Sequence, residues 1–280
     1  MNYLLEGIKE HLILNEEEIE KWQKRFDENR DILILRDETD VIGCIAYELW
    51  TYDEHQSLEL LFSFIKDETK HNILNQGLSE VLAMFPQVTM INTIINENRK
   101  DLITLIKNHG LRVWYEYMVM LDYEASNTST PHQLTIRNIE EQDFETYFKT
   151  MGECFVWMRE TVDIRPHNVV EKLWATEEKK EESYQDWIKQ KEQTWMYFDK
   201  DVWVGSGLIV NNQDIDDVFV VPTLQGKGYG KAIILDLIDR IEKGGHTPTI
   251  GFVKVNEKAK QLYLSCGFKI THHFIHMRKL

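Results

Sequence analysis

The chain has 280 residues, enough for one large domain or two of ordinary size, and its 42% apolar and 28% charged composition is that of a globular protein. No apolar run reaches the length of a membrane span, and the opening MNYLLEGIKEHLILNEEEIE has acids where a secretion signal needs an apolar core. No membrane role and a cytoplasmic location are therefore expected. The net charge of −15 is lopsided: residues 1–130 carry 12 basic and 24 acidic side chains, the remainder 20 and 23. That balance argues against nucleic acid as a partner and leans toward a cationic one. Cys44, Cys154 and Cys266 are few, odd in number and far apart, which fits a reducing compartment rather than a disulfide framework. Asn127-Thr128-Ser129 then reads as a polar loop rather than a glycosylation site.

In chain order, ILILRDETDVIGCIAYELW reads as a hairpin containing Gly43, and INENRKDLITLIKNHGL as a helix stopped at Gly110. The polar, turn-forming stretch EASNTSTPHQ, residues 124–133, reads as a linker between a domain over 1–123 and another over 134–280. After it, QLTIRNIE alternates as a strand and EEQDFETYFKTMGECFVW has helical spacing, followed by a charged helical region through Gln193. TWMYFDKDVWVGSGLIVN is a hairpin turning at Asp199–Asp201, and DDVFVVP is a buried strand stopped by Pro222. From Tyr229, Ile234, Leu237, Ile238 and Ile241 form one apolar helix face, ended by Gly244-Gly245. PTIGFVKV is a strand, NEKAKQLYLSCGF a helix stopped at Gly267, and FKITHHFIHMRKL a closing strand.

The order is mixed α/β. Gly43 matches Gly205 at an offset of 162 and Gly110 matches Gly267 at 157, which points to an internal duplication. Strand alternation puts His272 and His276 on one face and His273 on the other, so no metal is expected there.

Between the strand and the helix lies QGKGYGK, residues 225–231, with glycine at 226, 228 and 230. The first amides of a helix lack internal partners and carry partial positive charge. Glycines let a phosphate approach such a backbone closely, and Lys227 and Lys231 add charge. A Walker loop is disfavoured because Ala232 follows Lys231, and the dinucleotide fingerprint fails because position 231 is not glycine.

What remains, Gln225-x-x-Gly228-x-Gly230 directly after a strand ending Val221-Pro222, resembles the pyrophosphate-binding signature of the GNAT superfamily of N-acetyltransferases. Asn256, Ala259, Leu262-Tyr263 and Gly267-Phe268 match the family's second block in order and spacing. The resemblance covers residues 134–280; over 1–123 it is one of shape alone. It implies two tandem acetyltransferase-like domains, each a mixed, largely antiparallel sheet flanked by helices.

The resemblance further implies acetyl-CoA as co-substrate and a primary amine as acceptor, attacked directly in a ternary complex. The acidic surface favours a small cationic amine. The backbone of Phe219, Val220 and Val221 is expected to hold the pantetheine arm, with the amide of Val220 or Val221 stabilising the oxyanion. Gln225, Gly226, Lys227, Gly228, Tyr229, Gly230 and Lys231 are expected to cradle the pyrophosphate. Asn256 reads as a coenzyme contact, an N-cap, or both. Tyr263 is expected to act as general acid toward the departing thiolate; it also fits a core aromatic. Asp217 leads the general-base candidates, with Asp216, Glu160 and Asp163 open.

Phe155, Trp157, Trp174, Tyr184, Trp187 and Trp195 offer aromatic surface either for the acceptor or for packing. In the first half, the counterpart of the glycine turn falls near FIKDETKHN, residues 64–72. No glycine lies between Gly43 and Gly77, Asp67 and Glu68 would repel a pyrophosphate, and Ile106 replaces the tyrosine. A degenerate, non-binding copy is expected there, one that shields the cleft, shapes the acceptor site or makes a homodimer. Two other activities stay open: a non-catalytic acyl-CoA-binding regulator, and a protein or peptide N-acetyltransferase.

Overall fold

The computed structural model describes Leu4, Glu6 and residues 16–28, 30–52, 55–125 and 132–279. The elements run α1 (Glu16–Glu28), β1 (Ile32–Asp37), β2 (Asp40–Tyr52), β3 (His55–Ile65), α2 (His71–Met84), β4 (Met90–Asn96), α3 (Lys100–Asn108), β5 (Arg112–Met120) and β6 (Asp122–Tyr123). They continue with β7 (Thr135–Asn138), α4 (Phe144–Thr161), α5 (Val169–Leu173), α6 (Glu177–Ile188), β8 (Thr194–Asp199), β9 (Val202–Val210) and β10 (Asp214–Val220). The last are α7 (Tyr229–Lys243), β11 (Thr249–Val253), α8 (Glu257–Ser265), β12 (Phe268–Lys269) and β13 (His272–Lys279). Among the described residues no helix is long and apolar enough to cross a membrane.

The chain forms two compact units, one of residues 1–116 with 273–280 and one of residues 117–272. Pairing between strands sets this division, and it differs from the expected 1–123 and 134–280. β13 pairs antiparallel with β4 of the first unit, Phe274 opposite Asn96, while the end of β5 pairs with β11 of the second, Met120 opposite Ile250. Of the expected linker, residues 126–131 lie outside the described residues.

In the first unit β1, β2 and β3 are antiparallel, and β3 runs parallel to β4 over Ser57–Leu60. Leu74, Leu78 and Val81 of α2 and Leu102, Ile103 and Ile106 of α3 bury one sheet face, with Leu35, Ile45, Leu58 and Leu60 beneath them. Phe26, Ile32, Cys44, Ala46 and Phe62 bury the other.

The second unit repeats this order: a hairpin β8–β9, then β10, α7, β11 and α8. α7 forms because Ile233, Ile234, Leu237, Ile238 and Ile241 make one continuous apolar stripe, all of it buried against the sheet. Each such side chain contributes about 1.5–3 kcal/mol on burial. On the opposite face, α4 supplies Phe144, Tyr147, Phe148 and Met151 at i, i+3, i+4 and i+7, packed on Trp187, Met196 and Phe219. Gly205 of β9 crosses close beneath β10: a Cβ there would lie 2.3 Å from the Phe219 carbonyl oxygen. Gly43 stands in the same relation to the Phe64 carbonyl, at 2.2 Å.

Candidate active site

β10 and β11 pair in parallel only at Asp214–Thr249 and Ile215–Ile250, although both strands continue. The separation begins where β10 slips register against β9 between Asp216 and Phe219, a bulge in which Asp217 takes φ +45°. Beyond it the strands diverge, and a cavity of about 1520 Å³ opens within the second unit. Its lining includes Asp216 to Val220, Gly251 to Val253, the turn at Gln225, Gly226, Gly228, Gly230 and Lys231, and Asn256 and Tyr263 of the last helix.

The backbone of β10 divides its hydrogen bonds between the two sides. Val221 N–H donates to the Val204 carbonyl at 3.0 Å, so this amide faces β9. Backbone groups alternate sides along a strand, so Phe219 also faces β9, where it pairs with Ser206, and Val220 faces the cleft. The Val220 carbonyl accepts from Gln225 Nε2 at 3.1 Å and from Cys154 Sγ at 3.4 Å on that side. Of the two amides expected at the thioester, Val221 is therefore committed to the ladder and Val220 is the one presented. Phe219 contributes a buried ring between Tyr147 and Trp203 instead of a backbone contact.

The turn after β10 has the shape its glycines predict. Gly226 and Gly228 take φ +79° and +90°, a region L side chains avoid, and Gly228 caps α7 in that conformation. Gly230 sits so near the last helix that a Cβ would lie 3.2 Å from Leu262 Cδ2. At the start of α7, Lys231 N–H donates to the Gly228 carbonyl at 3.2 Å, while the amides of Tyr229 and Gly230 have no earlier carbonyl of the helix to pair with. Lys231 lines the cavity; Lys227 and Tyr229 do not. The Lys227 carbonyl lies 2.8 Å from His132 Nε2, and the Tyr229 hydroxyl donates to Asp199 Oδ2 at 2.6 Å. The His132 ring, on the Lys227 carbonyl, and the Tyr229 side chain brace the turn from outside.

Asn256 fulfils the N-cap expectation, its Oδ1 accepting from Ala259 N–H at 3.1 Å while the residue also borders the cavity. Tyr263 is buried among Phe252 and Phe268, and it also lines the cavity. Burial, helped by the nearby Tyr117 and Asp216 charges, pushes its phenol well above the usual range, so it stays protonated. Asp217 is half-buried in the bulge; burial first and Asp216 second raise its carboxyl from 3.8 to about 7. Glu160 and Asp163, the other open candidates, do not line the cavity and lie beside His167 and Arg165.

Of the aromatic residues expected near the acceptor, Phe155, Trp157 and Trp187 border the cavity. Trp174 and Tyr184 pack instead on Phe144, and Trp195 lies under the Arg240 guanidinium at 4.9 Å. Sequence reasoning missed Tyr147, whose place at i+3 from Phe144 reads as ordinary core, and Cys154 for the same reason. Burial pushes the Cys154 thiol to about 12, which makes it a poor nucleophile. Among the described residues no group of three His, Cys, Asp or Glu could hold a metal ion. His276 stacks on Tyr115, and His273 lies between Glu97 and Glu116.

A strand pair that separates beside a glycine-rich helix start is the arrangement expected of coenzyme A acyltransferases, and the comparisons agree. Residues 161–276 match the family model described as an acetyltransferase (GNAT) domain. This part of the chain is thus similar to a GNAT acetyltransferase domain. No curated protein sequence matches the chain. Among solved structures, a GCN5-related N-acetyltransferase from Sphaerobacter thermophilus is similar at 15% identity and TM-score 0.63, covering 93% of this chain and 85% of that one. A GNAT-family acetyltransferase from Colwellia psychrerythraea aligns at 11% identity and TM-score 0.57, covering 96% and 91%. A tandem GNAT protein from the clavulanic acid biosynthesis pathway aligns at 10% identity and TM-score 0.54, covering 89% and 83%. At these identities the likeness is one of fold, a mixed sheet flanked by helices.

Proposed function

We propose that the second unit transfers an acetyl group from acetyl-CoA to a primary amine by direct attack, with both substrates bound together. The observation that supports this reading is the meeting, in one cavity, of the Val220 amide, the glycine turn, a carboxyl at about 7 and a protonated buried phenol. The coenzyme would supply the activated thioester, and the residues present fit it. The turn has positive-φ glycines where a Cβ would stand between the helix amides and a phosphate, and the Val220 N–H faces the space its arm would fill.

The roles follow from the chemistry. Amides of residues 226–230 hold the pyrophosphate, assisted by Lys231. The Val220 N–H donates to the carbonyl oxygen as negative charge develops there. Asp217 takes a proton from the acceptor's ammonium, the freed amine forms the new C–N bond as the C–S bond breaks, and Tyr263 gives the departing sulfur its proton. A carboxyl near 7 suits the first transfer, and a phenol that is protonated at neutral pH has the proton needed for the second.

The first unit is proposed to be a repeat that does not bind the coenzyme. Its β3 also runs on past its parallel pairing with β4, which ends at Leu60–Thr93. But where the second unit has its glycine turn, the Asp67 carboxylate accepts from Thr69 N–H at 2.9 Å and from the Thr69 hydroxyl at 2.6 Å. An internal anion already answers the amide that a phosphate would need.

The test is thiol release from acetyl-CoA across a panel of small amines and lysine peptides. Amine-dependent release supports the reading. Coenzyme binding without release by any acceptor would replace it with a regulatory, non-catalytic role, and release with peptides alone would make it a protein acetyltransferase.

A further inference from the structure

The cavity of about 1520 Å³ exceeds the roughly 300–1,000 Å³ usual for one bound small molecule, so an acceptor has room beside the coenzyme arm. One end of that room is defined by three polar groups from two elements. Asp216 and Asp217 come from the bulge in β10. Tyr147 comes from α4: the residue is only 3% exposed, it lines the cavity, and its hydroxyl makes no hydrogen bond among the described residues. Its oxygen is not among the buried polar atoms left without a partner, so it opens onto the cavity, where a ligand can bond it. The two aspartates lie close enough to Tyr147 for their charges to raise its phenol further, so the three groups form one locus of negative potential.

Away from this end the wall changes character. Met151, Phe155 and Trp157 of α4 succeed one another along the cavity, and Trp157 remains 58% exposed at its edge. The charged residues bordering the same helical side are Arg159, Lys172 and Lys179 against Glu182 and Asp186, a small excess of positive charge. A second ammonium laid on Met151, Phe155 or Trp157 would therefore sit on an apolar surface, which is unfavourable, and Glu182 and Asp186 beyond them are outnumbered by cations.

We propose that the acceptor is a monocationic amine with an apolar or aromatic body, its ammonium held by Asp216, Asp217 and the Tyr147 hydroxyl and its body laid on Met151, Phe155 and Trp157. This deepens the acyl-transfer reading and rests on it. Tyr147 is a specificity-determining residue that touches the ammonium, distinct from Tyr263 on the thiol side. The excess of acid over base in the whole chain would by itself suggest polyamines; the cavity wall argues otherwise.

The experiment uses the full chain with acetyl-CoA and four probes: 2-phenylethylamine, hexylamine, 1,4-diaminobutane and spermidine. The first two are expected to give kcat/KM at least about 10-fold above the last two, the effect of roughly one charge left on an apolar wall. Tyr147→Phe is expected to raise KM for 2-phenylethylamine about 10-fold, the loss of a charge-assisted hydrogen bond, with coenzyme affinity unchanged and kcat reduced less. Phe155→Glu is expected to shift preference toward 1,4-diaminobutane, a gain that a misfolded variant would not show. Preference for spermidine in the unaltered protein overturns the inference while leaving acyl transfer standing. Calorimetry with CoA present separates the two further: 2-phenylethylamine binding that Tyr147→Phe weakens supports this subsite even without thiol release, and no binding overturns it.

Discussion

Val221 N–H donates to the Val204 carbonyl across a distance of 3.0 Å, and this single bond decides which amide of β10 is free to face the cleft. Val220, one residue earlier, turns its N–H to the opposite side, where β11 has already diverged. Proline at a strand position whose N–H is not in the ladder is tolerated, whereas the same change at a paired position removes a bond. Val220→Pro is thus expected to fold and bind the glycine-turn phosphates while losing about 10²–10³-fold in kcat, as for removal of an oxyanion donor. Steady-state kinetics beside a thermal melt check this. Unimpaired turnover in a folded Val220→Pro protein would remove Val220 from the mechanism.

Tyr263→Phe keeps the ring that packs on Phe252 and Phe268 and removes only the hydroxyl. Turnover is expected to fall about 10²-fold or more, the usual worth of a positioned general acid, with coenzyme affinity and melting temperature nearly unchanged. A parallel fall in stability and activity would instead mark Tyr263 as a core residue.

Asp217 carries opposite consequences for activity and stability. As a base it must be ionised, so kcat/KM is expected to rise with pH and level off above about 7. For stability the sign is reversed, because a carboxyl whose folded pKa of about 7 exceeds its ordinary 3.8 binds protons more tightly folded than unfolded. Its contribution to stability therefore falls as pH rises from about 4 to about 7 and is constant beyond. Asp217→Asn is expected to abolish most turnover and to melt higher than the unaltered chain. That gap should be small at pH 4 and widest above pH 7. Melting curves at four or five pH values read it directly, and a gap independent of pH would show that Asp217 is not perturbed.

Coenzyme binding is expected at one molecule per chain. Titration calorimetry with CoA should give a single site that Gly228→Ala weakens, since φ +90° strains any L side chain and the new Cβ would lie 3.2 Å from His132 Nε2. Asp67→Asn is expected to leave the stoichiometry at one. Two sites in the unaltered protein would show that the first unit binds as well.

The parts of the site legible in the sequence are those made by neighbours along the chain. Gln225 to Lys231 and Asn256 to Gly267 are local: a helix start, a left-handed glycine and an N-cap depend on a few consecutive residues. Tyr263 could be singled out because the same local pattern carries it. Asp217 could be named only as one carboxylate among several, since its perturbation comes from the bulge and from burial that no spacing reveals. Tyr147 was indistinguishable from core, because its role depends on facing a strand about seventy residues away.

By itself, then, the sequence determined the alternation of strands and helices, the close strand crossings at Gly43 and Gly205, and a turn whose amides suit a phosphate; these follow from periodicity and backbone sterics within short windows. Only the tertiary structure decided that β13 completes the first unit's sheet, that β10 and β11 part after Ile215, and that Val220 rather than Val221 faces the gap. Strand pairing and register join residues far apart in the chain, and the free energy that selects among pairings belongs to the assembled sheet and core, not to any local segment.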